Sequence, residues 1–199
     1  MFHHIEGKVT DIGQNFAVID CSGVGFGLNA TTNTLSRLAL GEKAKLYTYS
    51  HIREDTFDLY GFLDIREKRS FEMLIGVSGV GPKAAVSILS AATPESLAMA
   101  VISGNEKALM IAPGIGKKIA QRILLELKDK ISKETDGIIS VASPGQLNTG
   151  LSTKLSDSAS ALAVLGYSNA EISHALKDLD MENTELEDII RQALKKMVK

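Results

Sequence analysis

Apolar and polar residues alternate with a period of two through the first third of the chain, then change near Asp64 to the three-and-four spacing of helices. The alternation predicts strands over 5–9, 16–20, 24–29, 44–49 and 56–62, parted by turn-rich stretches at 11–15 and 21–23. One short helix fits within 31–40, and five short strands in this order predict a small OB-like Greek-key barrel. The glycines of Gly23-Val24-Gly25-Phe26-Gly27 do not open a helix and lack dinucleotide-loop spacing, so they predict strand twist or a bulge.

Past that point the caps read clearly. Asp64 with Glu67 opens a helix running to about Gly76, Pro82 opens one to about Ala91, Thr93-Pro94 opens one that Gly104 stops, and Asn105-Glu106 begins the next. A further helix to about Ile131 carries the apolar stripe Ile119, Ala120, Ile123, Leu124, Leu127 and Ile131. On another of its faces Lys118 and Arg122 stand four apart, within reach of one phosphate strand. Residues 132–153 are rich in Ser, Thr and Gly and lose the period, which predicts a flexible linker and a mobile C-terminal unit. Three short helices follow over 157–165, 170–179 and 185–198, the last two behind the capping pairs Ser168/Glu171 and Thr184/Glu187. The expectation is an α+β multidomain chain: an OB-like barrel (1–63), a helical domain (64–133), a linker (134–153) and a three-helix, UBA-like bundle (154–199).

Within the helical domain the chain repeats itself. Aligning 74–89 with 109–124, a spacing of 35, matches Leu, Gly, Gly, Lys, Ala, Ile and Leu identically. Each copy has two glycines bracketing one apolar residue, Gly79-Val80-Gly81 and Gly114-Ile115-Gly116, just before a helix. Such a turn buries the apolar residue between two helices while its bare backbone lets another chain approach. The helix behind it has unpaired N–H groups and the positive end of its dipole, and Lys83, Lys117 and Lys118 add full charges, so each copy suits a phosphate. A single copy could be only a compact helix–helix turn. A cation at the matching place in both is not needed for structure, and the pair resembles a tandem helix-hairpin-helix, which implies a grip on DNA backbone without reading of bases.

Charge supports this by its distribution. The formal net charge is −2, but 1–63 hold 5 Lys/Arg against 7 Asp/Glu, 64–135 hold 11 against 8, and 136–199 hold 6 against 9. Only the repeat-bearing segment is basic. The single cysteine, Cys21, allows no intrachain disulfide and reads as a core thiol, and the four histidines show no metal-ligand spacing. Neither Gly-Lys pair, Gly7-Lys8 or Gly116-Lys117, belongs to an ATP-binding loop. No cofactor, metal centre or catalytic residue is expected. With no apolar run of membrane length and no leader-like start, the expected location is the cytoplasm.

The whole chain outside the linker resembles the RuvA family, Holliday-junction-binding subunits of bacterial branch-migration complexes. The residues carrying the resemblance are Arg53-Glu54-Asp55 with Leu59-Tyr60-Gly61-Phe62, and Gly114-Ile115-Gly116-Lys117-Lys118 with Ala120 and Arg122. It implies a non-catalytic homotetramer, one or two per junction, acting in recombination and repair. DNA contacts would come from Gly79, Gly81, Lys83, Gly114, Gly116, Lys117, Lys118 and Arg122. Glu54 and Asp55, otherwise a solvated turn, become an acidic pin at the junction centre. The C-terminal domain would contact the ATP-driven motor RuvB, with Leu162, Leu165, Tyr167 and Leu176 as core or contact surface, and the resolving nuclease RuvC would also engage the plate. Two other readings remain at this point: a protein-only scaffold, and a helix-hairpin-helix glycosylase or nuclease subunit. The glycosylase needs a pocketed catalytic Asp, whereas Asp129 is expected at a lysine-flanked helix end.

Overall fold

A computed structural model describes residues 2–139, 149–165, 167–177, 179–181 and 183–197 of the chain. Five strands, β1 (His4–Ile12), β2 (Phe16–Cys21), β3 (Val24–Ala30), β4 (Lys43–Ile52) and β5 (Phe57–Phe62), close a barrel in the order β1-β2-β3-β5-β4. Only the β3–β5 pairing is parallel, at Asn29–Tyr60 and Ala30–Gly61. One short helix, α1 (Thr32–Leu35), crosses between β3 and β4. Ile5, Val9, Ile19, Leu28, Leu46 and Leu59, inward members of the alternating pattern, fill the barrel. Pairing of β2 with β3 runs regularly through Gly25 and Gly27; the bulge lies in β1, between Val9 and Asp11, not at the glycines.

Asp64 caps α2 (Ile65–Ile75) through the Arg66 amide, and Thr93 caps α4 (Pro94–Ser103) through the Ser96 amide. Between them lies α3 (Pro82–Ala91), and after them α5 (Glu106–Met110) and α6 (Lys117–Ile139). The barrel's outer face is stapled to this domain by aromatics: Tyr49, Tyr60 and Phe62 surround Phe71 of α2 with ring centroids 5.3, 5.2 and 5.0 Å apart. A polar staple accompanies them. The buried Glu67 carboxylate accepts hydrogen bonds from the Thr31 hydroxyl at 2.5 Å and the Thr34 hydroxyl at 2.7 Å, tying α1 to α2.

Burial pushes the Glu67 carboxyl up, with the two threonine hydrogen bonds opposing, and the net direction is upward from 4.5. A folded-state value above the unfolded one favours the protonated folded chain. Its contribution is therefore complete below about pH 4.5 and is lost as pH rises through the raised folded value. Glu67→Gln cannot ionise, so urea unfolding should show wild type losing stability relative to this variant as pH climbs from about 4.5. A difference that stays flat with pH would contradict the assignment.

Two features depart from the expected boundaries. The helix expected to end near Ile131 continues to Ile139, so Asp129 lies within α6 instead of at its end. No proline interrupts the extension, and its lysine and glutamate residues favour helix. The first C-terminal helix, α7 (Thr149–Val164), likewise starts inside the expected linker, whose residues 140–148 lie outside those described. Helices α8 (Asn169–Leu176) and α9 (Leu186–Met197) complete the bundle, with the Ser168/Glu171 capping box in place.

In place of an independently standing unit, the bundle is docked: α7 packs on α4 and α6, α8 packs on α6, and one apolar core runs from Phe71 to Leu194. The Arg69 guanidinium lies 5.9 Å from the centre of the Tyr167 ring. Leu162, Leu165 and Leu176, expected as core or contact surface, are buried in this core, and Tyr167 is half-buried against it. Three short helices have few apolar side chains to spare, and these leucines occupy their inward faces.

Candidate nucleic-acid interface

The sequence repeat is a structural repeat. Gly79 has φ +86° and Gly114 φ +83°, the left-handed conformation in which a side chain is strained, and each turns the chain from one helix to the next. Behind them Val80 and Ile115 point into the core and are buried, as are Val77 and Ala112 on the approach. Outside, the backbone is uncovered: a Cβ on Gly81, Gly114 or Gly116 would meet no atom within 4 Å. Gly81 is the N-cap of α3 and provides no side-chain cap, while Pro82 takes the first turn where its missing N–H costs nothing. Lys83, Lys117 and Lys118 are exposed and have no ion pair among the described residues. Unpaired cations at an uncovered helix start suit a phosphate oxygen better than any neutral group.

The two hairpins brace one another. Ser87 of α3 donates to the Pro113 carbonyl of the second loop at 2.9 Å. In return α6 reaches back to the first loop, where the Glu126 carboxylate accepts the Ser78 amide at 3.2 Å. Arg122 donates to the Ser78 carbonyl at 3.5 Å and approaches the Ser78 hydroxyl at 3.4 Å. Its guanidinium also pairs with Glu126 at 3.7 Å. Arg122 thus sits at the first hairpin, 3.8 Å from where a Gly79 Cβ would stand, although it follows Lys118 by one turn. It links the two hairpins.

Glu126 occupies a loop amide and offsets Arg122 at the place a phosphate would take. Glu126→Gln keeps an acceptor for the Ser78 amide and removes the charge. Titration with labelled junction should show about 2–5-fold tighter binding, the scale of one exposed ion pair. Weaker binding would mean that the carboxylate's role is to hold the loop.

The barrel contributes the third component. The β4–β5 hairpin turns through Glu54 and Asp55, both exposed, and is closed by the Arg53 amide donating to the Thr56 carbonyl at 2.8 Å. Arg53, below the tip, lines an open cleft with residues 75–81 of the first hairpin and Glu126. Arg53 and the first hairpin therefore border one cleft, and the acidic tip follows Arg53 directly in the chain. Arg53 is not among the expected contacts; its signal is a cation beside two acids, which sequence cannot orient. Among the described residues no cluster of three or more His, Cys, Asp or Glu could hold a metal, and no single helix is long and apolar enough to cross a membrane.

Comparison with known proteins agrees segment by segment. Family models match at residues 1–61 (RuvA N terminal domain), 71–129 (SAM-like helix-hairpin-helix tandem) and 153–198 (RuvA, C-terminal domain). The Holliday junction branch migration complex subunit RuvA of Acetivibrio thermocellus is 46% identical over 198 residues, covering 98% of both chains. The chain belongs to the RuvA family. RuvA subunits of Thermoanaerobacter pseudethanolicus, at 42% identity over all of both chains, and of Clostridium botulinum, at 38% over all of both, are similar along their whole length. Coverage of this kind places the barrel, the tandem hairpins and the C-terminal bundle in one inherited RuvA architecture.

Proposed function

We propose that this chain binds four-way DNA junctions through the phosphate backbone, holds them open, and recruits a RuvB motor for branch migration. The observation that carries the reading is the pair of mutually braced hairpins with bare glycine backbones and unpaired lysines, beside an acidic tip. Such a surface recognises what all sequences share and discriminates by shape. The chain is a non-catalytic subunit; ATP hydrolysis belongs to the motor of the complex. The names of its relatives, each a branch migration complex subunit, support the same role.

Four copies around a four-fold axis form a plate with the acidic tips at the centre and Gly79, Gly81, Lys83, Gly114, Gly116, Lys117, Lys118 and Arg122 along the arms. One or two such plates clasp the junction, RuvC engages the plate, and the work is done in the cytoplasm. The C-terminal bundle, 154–199, carries the motor contact, with Leu162, Leu165 and Leu176 shaping it from within and Tyr167 at its edge.

Deleting 154–199 tests the division of labour. The expected result is retained junction affinity and lost stimulation of motor-driven branch migration, measured with circular dichroism to verify folding, since the deletion uncovers part of the α4 and α6 core. Equal loss of DNA binding in a folded truncation would assign the bundle to the DNA interface. The mass of the junction complex by sedimentation gives the copy number.

A further inference from the structure

The acidic tip stands on an apolar pair that nothing among the described residues covers. In β4, Leu46 and Thr48 face the barrel interior and are fully buried, and the same alternation carries the face on through Ser50 to Ile52. Their β5 partners on this face are Gly61, Leu59 and Phe57, opposite Thr48, Ser50 and Ile52. The other face carries Tyr49 and Tyr60 onto Phe71, and Arg53 toward the first hairpin. Neighbouring strands end lower down: β1 pairs with β4 only over Lys43–Tyr47, and β3 pairs with β5 only at Tyr60 and Gly61. The hairpin therefore projects beyond the barrel, and its core-side face emerges with Ile52 67% and Phe57 61% exposed.

Directly opposed side chains on antiparallel strands touch, so Ile52 and Phe57 form one apolar ledge. Its rim is Glu54 and Asp55. A phosphate is repelled there, but a nucleobase is suited twice over: its ring stacks on the phenyl group, and a carboxylate accepts from the exocyclic amine of cytosine or adenine.

We propose that Ile52 and Phe57, under the acidic tip, form a stacking platform for an unpaired nucleobase of a strand that turns at the junction centre. This rests on the junction-binding reading above. The tip keeps phosphates off while the platform holds the base, so a separated base has somewhere to go before it pairs with its new partner. Stacking is tolerant of base identity, as migration through any sequence requires.

The test uses the full-length chain and synthetic junctions carrying 5-iodouracil, which on long-wave excitation joins covalently to an aromatic ring stacked on it. One junction is labelled at the crossover and a second well inside an arm. The expected result is an adduct mapping to Phe57 from the crossover label alone. Phe57→Ala abolishes it and weakens junction binding about 10-fold while leaving duplex binding unchanged, and Phe57→Trp restores both. Since Phe57 is exposed, the substitution leaves the barrel core untouched.

Crossover adducts that bypass Phe57, or junction affinity unchanged by Phe57→Ala, would overturn the platform. So would sedimentation showing that Phe57→Ala splits the assembly, because the ledge would then be a contact between copies of this chain. Failure of the acidic-tip reading is separable: an unchanged junction preference in Glu54→Gln/Asp55→Asn with the Phe57 adduct still present removes the electrostatic role and leaves the platform standing. An adduct lost while wild type binds junctions tightly removes the platform alone.

Discussion

A chain carrying Lys83→Ala, Lys117→Ala and Lys118→Ala together should lose nearly all junction binding at physiological salt, equally on unrelated sequences, while its fold stays intact. These side chains are exposed and unpaired among the described residues, so removing them costs no internal contact. What disappears is counterion release, which makes log K fall by roughly 0.9 per neutralised phosphate per log unit of salt. Three lost contacts per copy, multiplied across an assembly, should flatten the salt dependence by several units and lower affinity by orders of magnitude. Arg122→Ala should behave differently. Its charge is already offset by Glu126 and its guanidinium holds the Ser78 loop, so its loss should flatten the slope less and loosen the first hairpin more. Fluorescence anisotropy over a range of salt on two unrelated junctions separates these effects. A loss confined to one sequence would mean that bases are read.

The distinction between Arg122 and the lysines marks where sequence stops being informative. The glycine and lysine pattern at 79–83 and 114–118 is local, and each residue type there has a backbone or charge reason, so both loops are legible in the residues alone. Helical spacing places Arg122 beside Lys118, but its partners Ser78 and Glu126 include one 44 residues away, and no periodicity encodes that contact. The barrel is legible because alternation fixes which side of each strand is buried, as Ile5, Ile19 and Leu46 show. Its bulge is not, since glycines in β3 relax strand geometry without saying which strand gains a residue. Of the C-terminal helices α8 is legible from its Ser168/Glu171 cap, but the docking of the three is not. An amphipathic stripe records that a face is covered; it does not record whether the covering face belongs to the same domain. The α6 extension is hidden for a related reason: a polar, charged stretch without apolar spacing reads like a linker when that spacing is the guide. The pin's tip is visible as two adjacent acids, yet its use as a pin comes from the family resemblance. Arg53 and the Ile52–Phe57 ledge become visible only once the hairpin's two faces are oriented.

Replacing Glu54 with Gln and Asp55 with Asn should raise affinity for ordinary duplex and narrow the preference for four-way junctions. Both carboxylates are exposed at the end of a closed turn, and the amides keep its shape, because the bond from the Arg53 amide to the Thr56 carbonyl is main-chain. In a four-fold assembly these tips bring about eight negative charges to one centre. A phosphate roughly 10 Å from one of them, in an effective dielectric near 20, is repelled by about 1–2 kcal/mol before screening, and the Debye length at 0.1 M is itself about 10 Å. Duplex laid straight across the centre must place its phosphates against all the tips. In the proposed complex an open junction would direct its backbones outward, toward the lysines of the hairpins, and leave the centre to unpaired bases. In that arrangement the carboxylates would act against the wrong substrate more than for the right one, lowering total affinity and improving choice. Removing them should help duplex most at low salt, where screening is weakest, and the advantage should shrink as salt is raised through 0.1 M to about 0.5 M. The readout is the ratio of junction to duplex affinity for wild type and variant across that range. An unchanged ratio at every salt would reduce the tip to a solvated turn, and choice of substrate would then rest on the geometry of the hairpins and of the assembly that arranges them.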